Sequence, residues 1–188
     1  MKVILSENQY RRLIEAEEKP KILKFPPLEF FDKDPYVAWD VIQKILERKG
    51  NPPYTIEGDL YLEGTRIESS GNLQSVGGSL YLGNTPIKSL GNLKSVGGNL
   101  DLRGTPIESL GNLVSVDGHL LLGDTLIKSL DNLKSVGNDL FLTRTPIQSL
   151  GNLEFVGGDL YLRGTTLSKM YFKEEIRQMV NVVGGIHF

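Results

Sequence analysis

From residue 58 the chain settles into an alternation of apolar and polar positions that returns every 20 residues. Six copies begin Gly58-Asp-Leu-Tyr-Leu, Gly78-Ser-Leu-Tyr-Leu, Gly98-Asn-Leu-Asp-Leu, Gly118-His-Leu-Leu-Leu, Asn138-Asp-Leu-Phe-Leu and Gly158-Asp-Leu-Tyr-Leu, and the shared pattern is close to G-x-L-x-L-x-x-T-P-I-x-S-L-G-N-L-x-S-V-G. A fixed short period means that each unit packs only on its neighbours, which is the signature of a solenoid. Leu-x-Leu predicts a short strand, and the strands are expected to stack coil on coil in a parallel sheet. Each copy holds six aliphatic core positions, Leu80, Leu82, Ile87, Leu90, Leu93 and Val96 in the second. That is too little apolar surface to order one coil alone, so stability requires the array.

The flanks follow other periods. Ser6 and Gln9 fit a capping box that opens a helix over Glu7–Glu18, with Tyr10, Leu13 and Ile14 on one face, so residues 1–18 read as a helical docking segment. Residues 19–33 carry Pro20, Pro26 and Pro27 and read as an extended linker. In residues 34–53 a cap helix is well marked, with Asp34 as N-cap, Pro35 at the first helical position and Gly50 beyond the end. Its stripe of Val37, Ala38, Val41, Ile42, Ile45 and Leu46 is expected to cover the first coil. The six-coil solenoid spans 54–167. In residues 168–188 the pattern breaks, and Lys173–Val183 reads as a second cap helix with Ile176, Met179, Val180 and Val183 at core spacing. The expected fold is a mainly β repeat solenoid of parallel coils with α-helical caps at both ends.

Other positions also form rows. Thr65, Thr85, Thr105, Thr125, Thr145 and Thr165 recur, as do Asn72, Asn92, Asn112, Asn132 and Asn152, and such turn side chains satisfy backbone groups that a tight coil leaves unpaired. Ser69, Ser89, Ser109, Ser129 and Ser149 repeat with the coil and so read as turn residues, since a catalytic serine is expected once. The Gly-Gly pairs starting at 77, 97 and 157 are expected to supply turn conformations that other residues resist. On these residues, Leu-x-Leu-x-x-Thr-x-Ile resembles the core of leucine-rich repeats, with Thr at the position of the Asn ladder. The resemblance covers residues 58–167 and is to the short 20-residue units of bacterial and phage-encoded repeat proteins. Val-Gly-Gly precedes the strand instead of Leu-x-x, so the coil is expected to depart from the usual horseshoe. Ser70 replaces Leu in the first coil, which suggests an edge. The opening Ile-Leu-Ser-Glu-Asn-Gln-Tyr-Arg-Arg-Leu-Ile is similar to a short segment that begins proteins of tailed phages, which implies phage structural proteins as partners.

Composition narrows the rest. Among 188 residues the net charge is -2, without the basic excess of a nucleic-acid binder. Cysteine is absent, so there is neither a disulfide framework nor a thiolate metal site. No apolar run approaches the roughly 18 residues that span a bilayer, and the first residues do not make a signal peptide. A cytoplasmic or virion-associated protein is expected. His119 and His187 lack ligand-spaced partners, and Gly-Gly-x-Leu-x-Leu is not the G-G-x-G-x-D of calcium β-rolls, so no metal is expected. No P-loop, dinucleotide fingerprint or nucleophile elbow occurs, and no cofactor or catalysis is expected.

The residue between the two strand leucines is expected to face outward. That row reads Tyr61, Tyr81, Asp101, Leu121, Phe141 and Tyr161, an aromatic strip of the kind that interfaces favour. It is flanked by Asp59, Ser79, Asn99, His119, Asp139, Asp159 and by Glu63, Gly83, Arg103, Gly123, Thr143, Arg163. Five acids (Asp59, Glu63, Asp101, Asp139, Asp159) against two arginines give the face -3. The candidate partner-binding residues are Tyr61, Tyr81, Asp101, Arg103, Leu121, Phe141, Tyr161 and Arg163. The exposed-strand propensity of Tyr and Phe is the competing account of the row. Asp101 has three readings: an exposed residue paired with Arg103, a polar contact inside the strip, or an acid catalyst, which requires a second carboxylate at a defined separation. A further row, Glu68, Lys88, Glu108, Lys128, Gln148, alternates in charge and is expected to set register and solubility. The functional expectation is a non-catalytic module that binds a protein. The alternative is a structural or decoration component of a phage virion docked through its N-terminal segment. A carbohydrate-active solenoid would need clustered acids, and an ice-binding one more than one Thr per coil.

Overall fold

The computed structural model describes residues 21–188 and Glu7. The helix expected over Glu7–Glu18 falls, Glu7 apart, outside the described residues. The remainder is a parallel β-solenoid with two sheets. One has seven strands, from Leu60–Tyr61 at one end to Ile186–His187 at the other, and contains the expected Leu-x-Leu strands. The second has eight, from Leu23–Phe25 to Asn181–Val182, and is built largely from the Ser-Val dipeptide that closes each repeat. They are called here the Leu sheet and the Ser-Val sheet. Every pairing is parallel, and within the repeats the register is one period: Leu80 opposite Leu100, Val96 opposite Val116.

The hydrogen bonds run in opposite senses in the two sheets. In the Leu sheet each coil donates to the next, as in Leu80 N–H to Asn99 O at 2.7 Å and Leu100 N–H to His119 O at 2.9 Å. In the Ser-Val sheet each coil donates to the one before, as in Gly97 N–H to Val76 O and Asp117 N–H to Val96 O, both 2.9 Å. The six aliphatic positions of each coil form one continuous core; Leu80, Leu82, Ile87, Leu93 and Val96 are fully buried.

The polar rows satisfy the coil from within. All six threonine hydroxyls donate to the carbonyl three residues back at 2.7–2.8 Å. The five serine hydroxyls accept the N–H two residues on at 3.0–3.1 Å. Asn92 donates to the Asn72 side chain, and Asn72, Asn112 and Asn132 donate to carbonyls of the coil before.

The Gly-Gly pairs have a different cause from the one expected. Gly77, Gly97 and Gly157 are not in the left-handed region; a Cβ there would overlap the carbonyl oxygen of Glu57, Gly77 and Gly137 in the coil below. Close stacking selects glycine at these positions. Positive φ falls elsewhere: in one row at Gly64, Asn84, Gly104, Asp124, Arg144 and Gly164, in a second at Gly71, Gly91, Gly111, Asp131 and Gly151, and at Gly50 and Asn51 after the cap helix.

At the N-terminal end the helix Pro35–Arg48 forms as expected, with the Asp34 carboxylate accepting the N–H groups of Tyr36 and Val37. It buries Ala38, Ile42 and Leu46, while Val37 is exposed. The segment read as a linker is not a tether. Leu23–Phe25 is the first strand of the Ser-Val sheet, paired with Tyr54–Ile56, and Phe25 and Leu28 are buried. Pro26 and Pro27 follow directly and keep that edge short. Ser70 does not mark an edge: it is buried, its hydroxyl donates to Leu90 O at 2.6 Å, and its carbonyl accepts from the Tyr54 hydroxyl. Beside it lies a cavity of about 250 Å³ lined in part by Trp39, Gln43 and Tyr54.

At the C-terminal end helices Leu167–Met170 and Lys173–Met179 lie in the last coil, and the second stops four residues earlier than expected. The chain then re-enters both sheets through Asn181–Val182 and Ile186–His187. Ile176, Val180, Val182 and Ile186 are buried, whereas Met179 and Val183 are exposed, because the period changes from helical to alternating at Val180.

Candidate functional site

The Leu sheet carries the outward row where the sequence places it, one residue per coil. Four of its six members are aromatic, and they are stacked. Tyr61 and Tyr81 lie with ring centroids 5.0 Å apart and planes 4° apart. Phe141 and Tyr161 stack at 4.5 Å and 4°, and His187, from the strand beyond the last repeat, extends this second stack at 4.7 Å and 16°. No periodic signal marks His187 as a member of the row, because it lies 26 residues after Tyr161, past the inserted helices.

The two tyrosines nearest the ends of the repeats are tied within their own coils. Tyr61 donates to Asp59 Oδ2 at 3.0 Å and Tyr161 to Asp159 Oδ2 at 3.2 Å. The carboxylate beside Tyr61 raises its pKa; for Tyr161 desolvation contributes first and Asp159 second. Both hydroxyls are therefore protonated donors.

The flanking row beginning at Asp59 has a role that the sequence reading missed. Each side chain accepts the N–H one period further on. Asp59 accepts from Ser79, Ser79 from Asn99, Asn99 from His119, His119 Nδ1 from Asp139 and Asp139 from Asp159, at 2.6–3.2 Å. Asp159 completes it by accepting from Gly185 N–H at 2.7 Å. The signal was present: every residue of the row, Asp, Ser, Asn, His, Asp and Asp, offers an acceptor. This ladder holds the outward row in register and occupies one side of the carboxylates that were counted as a negative rim.

Asp101 is corrected from exposed to buried, at 5% exposure. The pairing with Arg103 holds. Arg103 Nε and a terminal nitrogen reach both carboxylate oxygens, Nε at 2.9 and 3.1 Å, and the Arg103 backbone N–H donates at 3.0 Å. With both oxygens engaged by a guanidinium, Asp101 is a structural anion. Its Arg103 partner remains mostly exposed.

Tyr81, Arg103, His119, Leu121 and Phe141 line part of a depression of about 290 Å³ at the middle of the face. The row thus divides. Tyr81, Asp101, Arg103, Leu121 and Phe141 are brought together, while Tyr61, Tyr161 and the exposed Arg163 lie outside the depression. Beside it, Asp124 and Arg144 form an exposed ion pair across one coil step, which draws the Asp124 pKa down. The alternating row Glu68, Lys88, Glu108, Lys128 is exposed and forms no ion pairs among the described residues; Lys134–Glu154 also pairs across one coil step, and His119 and His187 lie 3.4 and 3.0 Å from the carboxylates of Asp139 and Asp159. No group of three or more His, Cys, Asp or Glu side chains is placed to hold a metal among the described residues. Nor is any helix among them long and apolar enough to cross a membrane.

No protein-family model matches this chain, and neither a curated protein nor a solved structure matches it.

Proposed function

We propose that this chain is a non-catalytic repeat module that binds a protein partner on the face of its Leu sheet. The observation that carries the reading is the pair of aromatic stacks on a rigid frame. Their rings are fixed in register by the acceptor ladder, so little side-chain freedom is lost on docking. Among the other repeated side chains, threonines and serines pair with their own coil, and Asp101 with Arg103. The exposed Glu68, Lys88, Glu108 and Lys128 row is charged, so the outward row is the variable apolar surface on an invariant frame. The 20-residue unit resembles leucine-rich repeats, with a second parallel sheet along the Ser-Val edge, and such solenoids present long regular surfaces suited to recognition.

The test places a photo-crosslinking residue at Tyr61 or Phe141 and, as control, at Val114 outside the Leu sheet. A partner captured from the first two positions alone is then measured against point variants. Tyr81→Ala or Phe141→Ala should weaken binding by about 1–3 kcal/mol, with little change in folding stability, and Lys88→Ala and Lys128→Ala should matter much less. Full affinity in the aromatic variants with loss in the lysine variants refutes the reading.

A further inference from the structure

Stacking decides which part of the aromatic row is able to hold a ligand group. Within each stack the rings are nearly parallel, so each covers a face of its neighbour and turns an edge to solvent. Between Tyr81 and Phe141 two successive coils place no ring in the row itself, where they hold Asp101 and Leu121; the His119 ring of the flanking row lies tilted at 47°, 6.3 Å from Phe141. Three coil steps separate the two aromatic rings, roughly 14 Å at 4.8 Å per step. The face of Tyr81 that points toward the gap is therefore left without a stacking partner, and that of Phe141 meets only the tilted His119 ring, with no parallel stack.

Leu121, half-buried, forms the apolar floor between them, and the depression of about 290 Å³ occupies the interval. Its one buried charge is balanced internally, since Asp101 is held by Arg103. A charged group entering here would lose water without gaining a counter-ion. The wider face is acidic: Asp59, Glu63, Asp101, Asp139 and Asp159 stand against Arg103 and Arg163.

We propose that this notch seats one uncharged aromatic side chain of the protein partner, carried on a segment with Lys or Arg beside it. The ring stacks on Tyr81 or Phe141 and rests on Leu121, and the basic neighbours meet the acidic rim. The inference rests on the reading that a protein docks on this face, and it narrows that contact to the break between the stacks.

The experiment uses the intact ¹⁵N-labelled chain and small probes: N-acetyl-tryptophan amide, N-acetyl-leucine amide and methyl glucoside. It also compares acetyl-Lys-Trp-Lys-amide with acetyl-Glu-Trp-Glu-amide at low and high salt. The tryptophan amide is expected to shift the amide resonances of Tyr81, Asp101, Leu121 and Phe141 saturably, and more than the leucine amide does. The lysine-flanked peptide should bind several-fold more tightly than the glutamate-flanked one at low salt, with the difference shrinking at high salt. Leu121→Trp fills the notch and should abolish these shifts; Phe141→Leu removes one wall and serves the same purpose if the first variant folds poorly. The proposal is overturned by shifts confined to Tyr61 and Tyr161, by glucoside binding without tryptophan binding, or by shifts that survive both variants. If the probes fail while crosslinks still map to the Leu sheet, the notch alone is wrong. If crosslinks avoid that sheet, the wider reading fails with it.

Discussion

The two ends of the solenoid are closed by different physics. The N-terminal end is covered by a dedicated helix that buries Ala38, Ile42 and Leu46 against the first coil. The Tyr36 hydroxyl from the same helix reaches Glu63 O at 2.9 Å, a carbonyl on the side of the Leu sheet where an earlier coil would donate. At the C-terminal end the cap is two short helices, Leu167–Met170 and Lys173–Met179, which bury Leu167 and Ile176. The chain extends both sheets once more, and Arg177 donates to Val182 O at 3.1 Å and Gly184 O at 3.0 Å. In the interior the equivalent carbonyls, Val96 O and Gly98 O, accept from Asp117 and Gly118 of the next coil. One guanidinium thus stands in for two N–H groups of a coil that does not follow among the described residues. The first device removes apolar surface from water; the second satisfies an edge and leaves Met179, Val183 and Phe188 exposed.

The largest effect belongs to the buried lid. Ile42→Asp places an unpaired carboxylate at a fully buried position and should cost about 4 kcal/mol or more in chemical denaturation. An unchanged unfolding midpoint would show that the helix is not a cap.

The glycines at the two ends give the next test. A Cβ on Gly184 would overlap Asp159 Oδ1 and lie 2.7 Å from Gly158 O, inside the sheet, whereas one on Gly58 would meet the Pro27 ring at 2.6 Å. Gly184→Ala should cost about 2 kcal/mol and Gly58→Ala about 1, because Pro27 sits on the entry segment and has more room to yield. Equal losses would mean that the entry strand is as rigid as the array.

Removing the donors at each end separates the two devices. Arg177→Ala should cost about 1–2 kcal/mol and increase self-association in sedimentation velocity, since it frees two strand carbonyls. Tyr36→Phe should cost about 0.5–1 kcal/mol and leave the protein's association state unchanged, because the helix still covers the edge. Association in both variants, or in neither, removes the distinction.

The smallest effect is local and depends on pH. Gly185 N–H, then His187 and Tyr161, hold the Asp159 carboxyl below its ordinary pKa. A depressed folded-state pKa means that this group stabilises the fold above the unfolded-state value and loses that contribution as pH falls through the lowered one. Acidification below the ordinary carboxylate range should therefore loosen residues 185–188 first, seen as faster amide exchange at Gly185. Asp159→Asn should flatten that response. The Tyr36–Glu63 contact joins a hydroxyl to a carbonyl and should show no counterpart.

The sequence alone determined the period, the solenoid, the Leu strands and the N-terminal cap. Each rests on a local or repeated signal: a 20-residue spacing, or an Asp-Pro helix start with apolar residues three and four apart. It also placed the Asp101–Arg103 pair, which needs only the two-residue repeat of a strand. The tertiary structure decided what depends on neighbours 20 or more residues away. Asp101 became buried because Arg103 neutralises it. Gly77 and Gly97 are required by a carbonyl in the coil below, and Asp59 through Asp159 form a ladder because each N–H of the next coil arrives at the same height. Leu23–Phe25 joined a sheet that no local pattern announces, and the residues after Met179 resumed the array after an insertion that breaks the period. The notch between Tyr81 and Phe141 is of the same kind: the sequence lists the rings, and only stacking determines which of their faces are covered.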